Sequence, residues 1–376
     1  MAGERARVLV GVRRIAGCDV LRCAASSLRV TSGRCLPKIR ENGNMSESGR
    51  GALSKAGHGR SRLRAGSKLI PTVVESASPR VGDSVRFINV IPILSIHLLC
   101  LGVIWVGWSP LAVVVAVALF FGRMFCITAF YHRYFSHRTF RAHRVTQFLF
   151  ALAGVTAAQR GPVWWAAHHR QHHRHSDREP DPHSPGLRGL LWSHVAWFLS
   201  DAGIKTDWSV VPDWAKYPEL KWIENNHMIG PALLIAVLAL VGWATGGVFP
   251  GSETSAVQMV VWGFGISTTL LYHGTFTINS IAHRVGTQRF KTGDDSRNNW
   301  LLALLTLGEG WHNNHHYFPG SARQGFYWWE VDVTYYVLRI MQVLGIIWDL
   351  RPVPERVYDV ARREGSGGSS AAGAER

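Results

Sequence analysis

Eight histidines in three short groups carry the chemistry open to this chain: His132 and His137 in HRYFSH, His169, His172 and His173 in HHRQHH, and His312, His315 and His316 in HNNHH. The second and third groups repeat one spacing, H-x-x-H-H. On an α-helix its members fall at about 0°, 300° and 40°, so three imidazoles leave one face and can converge on a metal. A catalytic zinc takes about three protein ligands, so eight clustered histidines exceed the needs of one ion and argue for two. Imidazole suits zinc, copper, nickel and iron alike; apolar surroundings and a ligand set without cysteine favour iron. His132 and His137 pose a geometric problem. Five residues turn a straight α-helix by about 140°, which splays the two rings, so a bend or helix end is expected there.

The elements that must hold these groups are apolar and long. Four segments reach membrane-spanning length, at about 87–108, 111–130, 230–249 and 256–280. They read as two hairpins joined by Ser109-Pro110 and by PGSETS at 250–255, neither of which contains Lys or Arg. The positive-inside rule then puts both short loops outside and both termini, with every histidine group, on the cytoplasmic side. Shorter apolar stretches at 147–158, 190–200 and 335–348 are expected to form helices that cap the site or lie in the interface. The expected fold is thus an all-α integral membrane protein: four transmembrane helices in two hairpins, with a cytoplasmic helical cap carrying a histidine-rich di-iron site.

Composition agrees. Charged residues make up 18% of the 376, below the usual quarter or so, while 16 Trp and 16 Phe suit interfacial belts and apolar tunnels. The net charge of +16 resembles a nucleic-acid signal until it is located: residues 1–86 hold 17 Lys and Arg against 6 Asp and Glu. That segment, 1–86, reads as a basic, disordered tail touching anionic headgroups, with Met45 a candidate start, and nucleic acid is not expected as a partner. Residues 87–350 form the membrane domain and 351–376 a flexible C-terminal tail. Of the five cysteines, Cys18, Cys23 and Cys35 lie in the basic segment, and Cys100 and Cys126 in apolar runs. They indicate neither a disulfide framework nor a cysteine-ligated metal.

On the segments AFYHRYFSHRTF, WWAAHHRQHHRHSD, DPHSP, TINSIAHRVG and GEGWHNNHHYFP, in that order, the chain resembles the membrane fatty-acyl desaturases, most closely the acyl-CoA (stearoyl-CoA type) delta-9 enzymes. The resemblance spans roughly residues 85–345. It implies that His132, His137, His169, His172, His173, His283, His312, His315 and His316 ligate two irons, with Asn279 reaching one of them through water. It further implies that O2 and two electrons serve to place a cis double bond at carbon 9 of a saturated long-chain acyl-CoA. Trp165 would stand near the acyl entrance, and Phe120 and Ala116 would form the floor of a closed tunnel. The chain departs from the animal members at His168, where they carry an acidic residue. It also has no His-Pro-Gly-Gly haem element, so a separate electron donor, a ferredoxin-type or flavin reductase, is expected.

Other readings set limits on these. A similar site could hydroxylate or ketolate an alkane, sterol or carotenoid, and a metal-binding membrane transporter or sensor would place its ligands at mid-span. His58, His97, His227 and His273 stand alone and read as structural. His143, His175, His183 and His194 belong to no ligand pattern and are expected to support the site or the fold. Arg123, inside the second span, is expected to snorkel or to pair with a carboxylate.

Overall fold

The computed structural model describes residues 82–248 and 254–360. The expected basic tail, with Met45, lies almost wholly outside the described residues, as does most of the loop 250–255. The described chain is helical, and its one sheet is a two-residue antiparallel pair, Arg141–Ala142 with Ile347–Trp348.

Among the described residues three helices are long and apolar enough to cross a membrane: Phe87–Val106, Pro110–Ser136 and Ile229–Gly246. The first exposes Leu94, Leu98, Ile104 and Trp105, an outward apolar face that lipid would cover. The second begins at a capped turn, with Ser109 accepting from the amide of Ala112 and Pro110 at the first helical position. It runs on to Ser136, well past the expected end near 130.

The fourth expected span differs. Residues 256–280 form one unbroken helical run, through Ala256–Val260, Val261–Ile266 and Ser267–Ser280, but the run is not apolar enough to count with the other three. Its polar residues are the reason, and they face inward. Gln258 accepts from Ser109 Oγ at 2.8 Å and donates to the carbonyl of Val106. Ser267 and Thr268 accept from the guanidinium of Arg123, which is 3% exposed and also donates to the carbonyls of Leu119 and Thr156. Arg123 therefore neither snorkels nor meets a carboxylate; hydroxyls and carbonyls satisfy its fork. A buried polar group without partners costs several kcal/mol, so these pairs fix the rotation of the fourth helix against the second.

The expected cap stretches appear as Arg144–Val155, as a wide turn Trp192–Ala196 followed by Trp197–Leu199, and as Val333–Val343. Of the expected tail 351–376, residues 355–360 form a helical turn, and 361–376 lie outside the described residues. Val357 in that turn is buried with Phe290 and Phe326.

Two close contacts seat the histidine-bearing helices. Phe130 and Phe150 stack at 3.9 Å, and a Cβ at Gly154 would lie 2.0 Å from the Tyr131 ring, so only glycine lets the two helices meet there. At the start of the helix that carries the second histidine group, Pro162–His175, the buried carboxylate of Glu224 accepts from the amides of Val163 and Trp164 and from the Thr206 hydroxyl. A side chain at Gly161 would collide with it. Glu224 thus caps this helix from another segment of the chain and uses its positive end.

Glu224→Ala leaves two amides and a hydroxyl without acceptors and should lower stability by about 1–3 kcal/mol. Thermal unfolding of detergent-solubilised protein measures this, with Glu219→Ala, at an exposed ion pair with Arg144, as a control that should leave the transition nearly unchanged. Equal midpoints for both variants would remove Glu224 from this role.

Candidate metal centre

The segment carrying His132 and His137 is not α-helical. Cys126–Ser136 is a π-helix, and the amide of His137 bonds to the carbonyl of His132 at 3.2 Å. An i→i+5 bond stacks residue i+5 over residue i, so the five-residue step that would splay two rings on an α-helix here brings their centroids to 4.9 Å. The second group lies on Pro162–His175 and the third on the short helix His312–Tyr317. His283 ends the fourth helical run in a 3₁₀ turn, Ile281–His283.

The nine histidines converge as two clusters. His132, His137, His169, His173 and His315 form one; His172, His283, His312 and His316 form the other; within each, the ring nitrogens lie within 4.8 Å of one another. Each H-x-x-H-H group is therefore divided. The middle histidine of each group serves one cluster and the outer two serve the other.

Burial sets their charge. It pushes the pKa of His137, His169, His173, His312 and His315 well below the ordinary imidazole value, and that of His316 to about 4, with neighbouring histidines adding to the effect at the first five. At His172 burial again opposes charging, but the carboxylates of Asp181, Asp177 and Asp294 together outweigh it and the pKa is raised. Four carboxylates touch the Nδ1 side of ring members: Glu309 at His132, Asp181 at His172 (3.1 Å), Asp177 at His283 (2.7 Å) and Asp294 at His316 (2.8 Å). Each holds the proton on Nδ1 and leaves the Nε2 lone pair free, which is how carboxylates orient metal-binding histidines.

These tautomers, assigned from their partners, make a direct test of whether the residues fit a metal. The Nε2 atoms of His172 and His316, both left as lone pairs, face each other at 3.4 Å, and the Nε2 atoms of His283 and His312 lie 3.0 Å apart. In the other cluster His315 Nε2 is 2.9 Å from both His132 and His173 Nε2, one contact more than a single N–H can satisfy, and His137 and His169 meet at 2.8 Å. One proton bridges one pair; a cation at the centre satisfies a whole ring of lone pairs. The Nδ1 atoms of His312 and His315 are buried without partners. The donor set, nine imidazoles with no cysteine, fits two transition-metal ions.

The asparagines inside HNNHH lock the third group. Asn313 accepts from the amides of Arg289 and Phe290, and Asn314 donates to Glu330 and to the carbonyl of Gln324. Sequence reasoning missed these two residues and all four carboxylates. Asp177, Asp181 and Glu309 lie within segments that carry the resemblance, but nothing in GDDS marks Asp294. His168 joins neither cluster; its Nε2 faces the carbonyl of Lys205 at 3.0 Å. His183 stacks on His172 at 4.3 Å, and His97, His194 and His273 form a separate chain of contacts.

A cavity of about 170 Å³ lined by Trp165, His169, Trp197, Thr275, Phe276 and Asn279 approaches the clusters. A smaller one of about 30 Å³ lies between the clusters and Met124 and Ile127, and shares Trp165, His169, Thr275 and Asn279 with the first. Trp165 stacks on His169 at 4.9 Å. Phe120 and Ala116 are buried but line neither cavity. On that helix the lining residue nearest Phe120 is Met124, one turn nearer the clusters. No residue was expected there.

Residues 107–339 match the fatty acid desaturase family. The chain is 35% identical over 283 residues to an acyl-CoA 5-desaturase of Anemone leveillei, covering 74% of this chain and 83% of that one. It is 35% identical to the sn-2 palmitoyl-lipid 9-desaturase of a Nostoc species (72% and 92% covered) and 36% identical to the chloroplastic palmitoyl-monogalactosyldiacylglycerol delta-7 desaturase of Arabidopsis thaliana (69% and 67%). With the divided histidine groups and the family match over most of its described length, the chain belongs to the fatty acid desaturases, oxidoreductases of lipid metabolism.

Proposed function

We propose that this desaturase places a cis double bond at carbon 9 of a saturated long-chain acyl-CoA. The observation that carries the reading is a pair of lone-pair clusters beside a narrow cavity with an apolar far end. We assign one metal to His132, His137, His169, His173 and His315, and the other to His172, His283, His312 and His316, with Asn279 joining through water. Iron is the metal of this reading, and when bound it supplies the oxidising power that no amino-acid acid, base or nucleophile has against an unactivated C–H bond. The balance is one acyl –CH2–CH2– with O2, two electrons and two protons giving –CH=CH– and two waters. A separate ferredoxin-type or flavin reductase supplies the electrons.

The chain's own part is positioning. Trp165 and Thr275 line both cavities and flank the acyl path, and Met124 closes its far end. We place the polar fourth run, 256–280, across the bilayer with the three apolar helices, and the clusters and both termini on the cytoplasmic side. A second reading, in which the substrate is an acyl-lipid, is favoured by the name of the Nostoc relative.

Expression in a desaturase-deficient host tests the reaction. Lipid analysis should show a new monounsaturated acid with its bond at carbon 9, and His137→Ala or His312→Ala should each reduce it at least about 100-fold. A hydroxylated product, or full activity in either variant, would sink the assignment. Purified protein offered stearoyl-CoA or a stearoyl glycerolipid separates the two carriers by which one is consumed.

Chain length is set at Met124 in this reading. A methylene is worth about 0.8 kcal/mol, so Met124→Ala should move the ratio of two acyl thioesters differing by two carbons toward the longer by up to about tenfold. Phe120→Ala should act mainly on top of that change, and Ala116→Phe little. A competition assay with graded saturated thioesters decides it: an unchanged ratio in active Met124→Ala would remove the residue from the tunnel end.

A further inference from the structure

The two clusters differ in the charge around them. Three of the four carboxylates, Asp177, Asp181 and Asp294, serve the four-histidine cluster, on His283, His172 and His316. Their other hydrogen bonds come from neutral groups. Asp177 accepts from the Ser184 hydroxyl and the amide of Asp295, Asp181 from the amides of Asp177 and His183, and Asp294 from the hydroxyls of Thr292 and Ser296. The five-histidine cluster has only Glu309, on His132, and that carboxylate is shared with the buried guanidinium of Arg133, whose other ion-pair partner is Asp332.

We infer that the cluster of His172, His283, His312 and His316 binds its metal first and more tightly, and that Asp177, Asp181 and Asp294 are the positioning residues that make it so. The inference rests on the assignment of metals to both clusters. A carboxylate on Nδ1–H makes the Nε2 lone pair a stronger donor and screens the repulsion between two nearby cations. Such a partner is typically worth about 10–100-fold in metal affinity. The four-histidine cluster has two more of them, and the fifth imidazole of its neighbour offsets only part of that. The order of loading therefore follows the carboxylates, against the count of histidines.

The test uses full-length protein in detergent, stripped by a chelator and reloaded with zinc alone against a chromophoric competitor. His137→Ala leaves the four-histidine cluster complete, and His312→Ala leaves the other. The zinc held by His137→Ala should be at least about tenfold tighter than that held by His312→Ala. Adding Asp294→Asn to His137→Ala should weaken it about tenfold with helical content unchanged, while adding Glu309→Gln should change it less than about threefold. Equal affinities, tighter zinc in His312→Ala, or no effect of Asp294→Asn overturns the inference and leaves the two-metal reading intact. Absence of zinc from every variant and the parent overturns both. If His312→Ala does not fold, one equivalent of cobalt(II) in the stripped parent should give the visible spectrum of cobalt-loaded His137→Ala, and a different spectrum overturns the order.

Discussion

Nine imidazoles converging on two points inside the protein are the constraint on which this structure depends. Neutral rings repel little, but lone pairs facing each other at about 3 Å are tolerable only around a cation or a shared proton. Each of the three histidine groups is therefore held by more than ordinary α-helical bonding. Glu224 seats the second group, Asn313 and Asn314 seat the third, and the π-turn seats the first. Because the second and third groups each contribute to both clusters, two ions would join those two segments twice, one ion also tying in the first group and the other the turn that carries His283. Metal binding and the packing of the cap are then one equilibrium.

The same logic explains a polar helix among apolar ones. A guanidinium buried where Arg123 sits needs several partners, and Ser267 and Thr268 supply them at the expense of hydropathy. The fourth run is also the one that delivers Asn279 and His283 to the clusters. Its orientation matters more than its affinity for lipid, and Gln258 at one end and Arg123 further along fix that orientation.

What the sequence made legible follows from what repeats. The apolar runs located three helices long and apolar enough to span a membrane, and the H-x-x-H-H spacing marked the faces that converge. The division of each group between two clusters was hidden, because it depends on where neighbouring helices cross. The carboxylates were hidden for a related reason: Asp294 and Glu309 are distant in sequence from the rings they touch, and no period links them. Helical spacing flagged His132 and His137 as a problem and named a bend as the remedy; the wider turn that solves it leaves no compositional trace. The residues expected at a tunnel floor, Phe120 and Ala116, line neither cavity, because helix rise measures distance and not which side chain a path meets.

The π-turn also bears on how such a site is recognised in other chains. One residue removed between the two histidines, with the segment reverting to an α-helix, leaves an i, i+4 pair that again stacks one ring above the other. Two spacings that look unrelated on paper are thus the same construction in space, with the extra residue absorbed as a bulge. The invariant is the helical turn, and a search keyed to a fixed interval would divide one architecture into two.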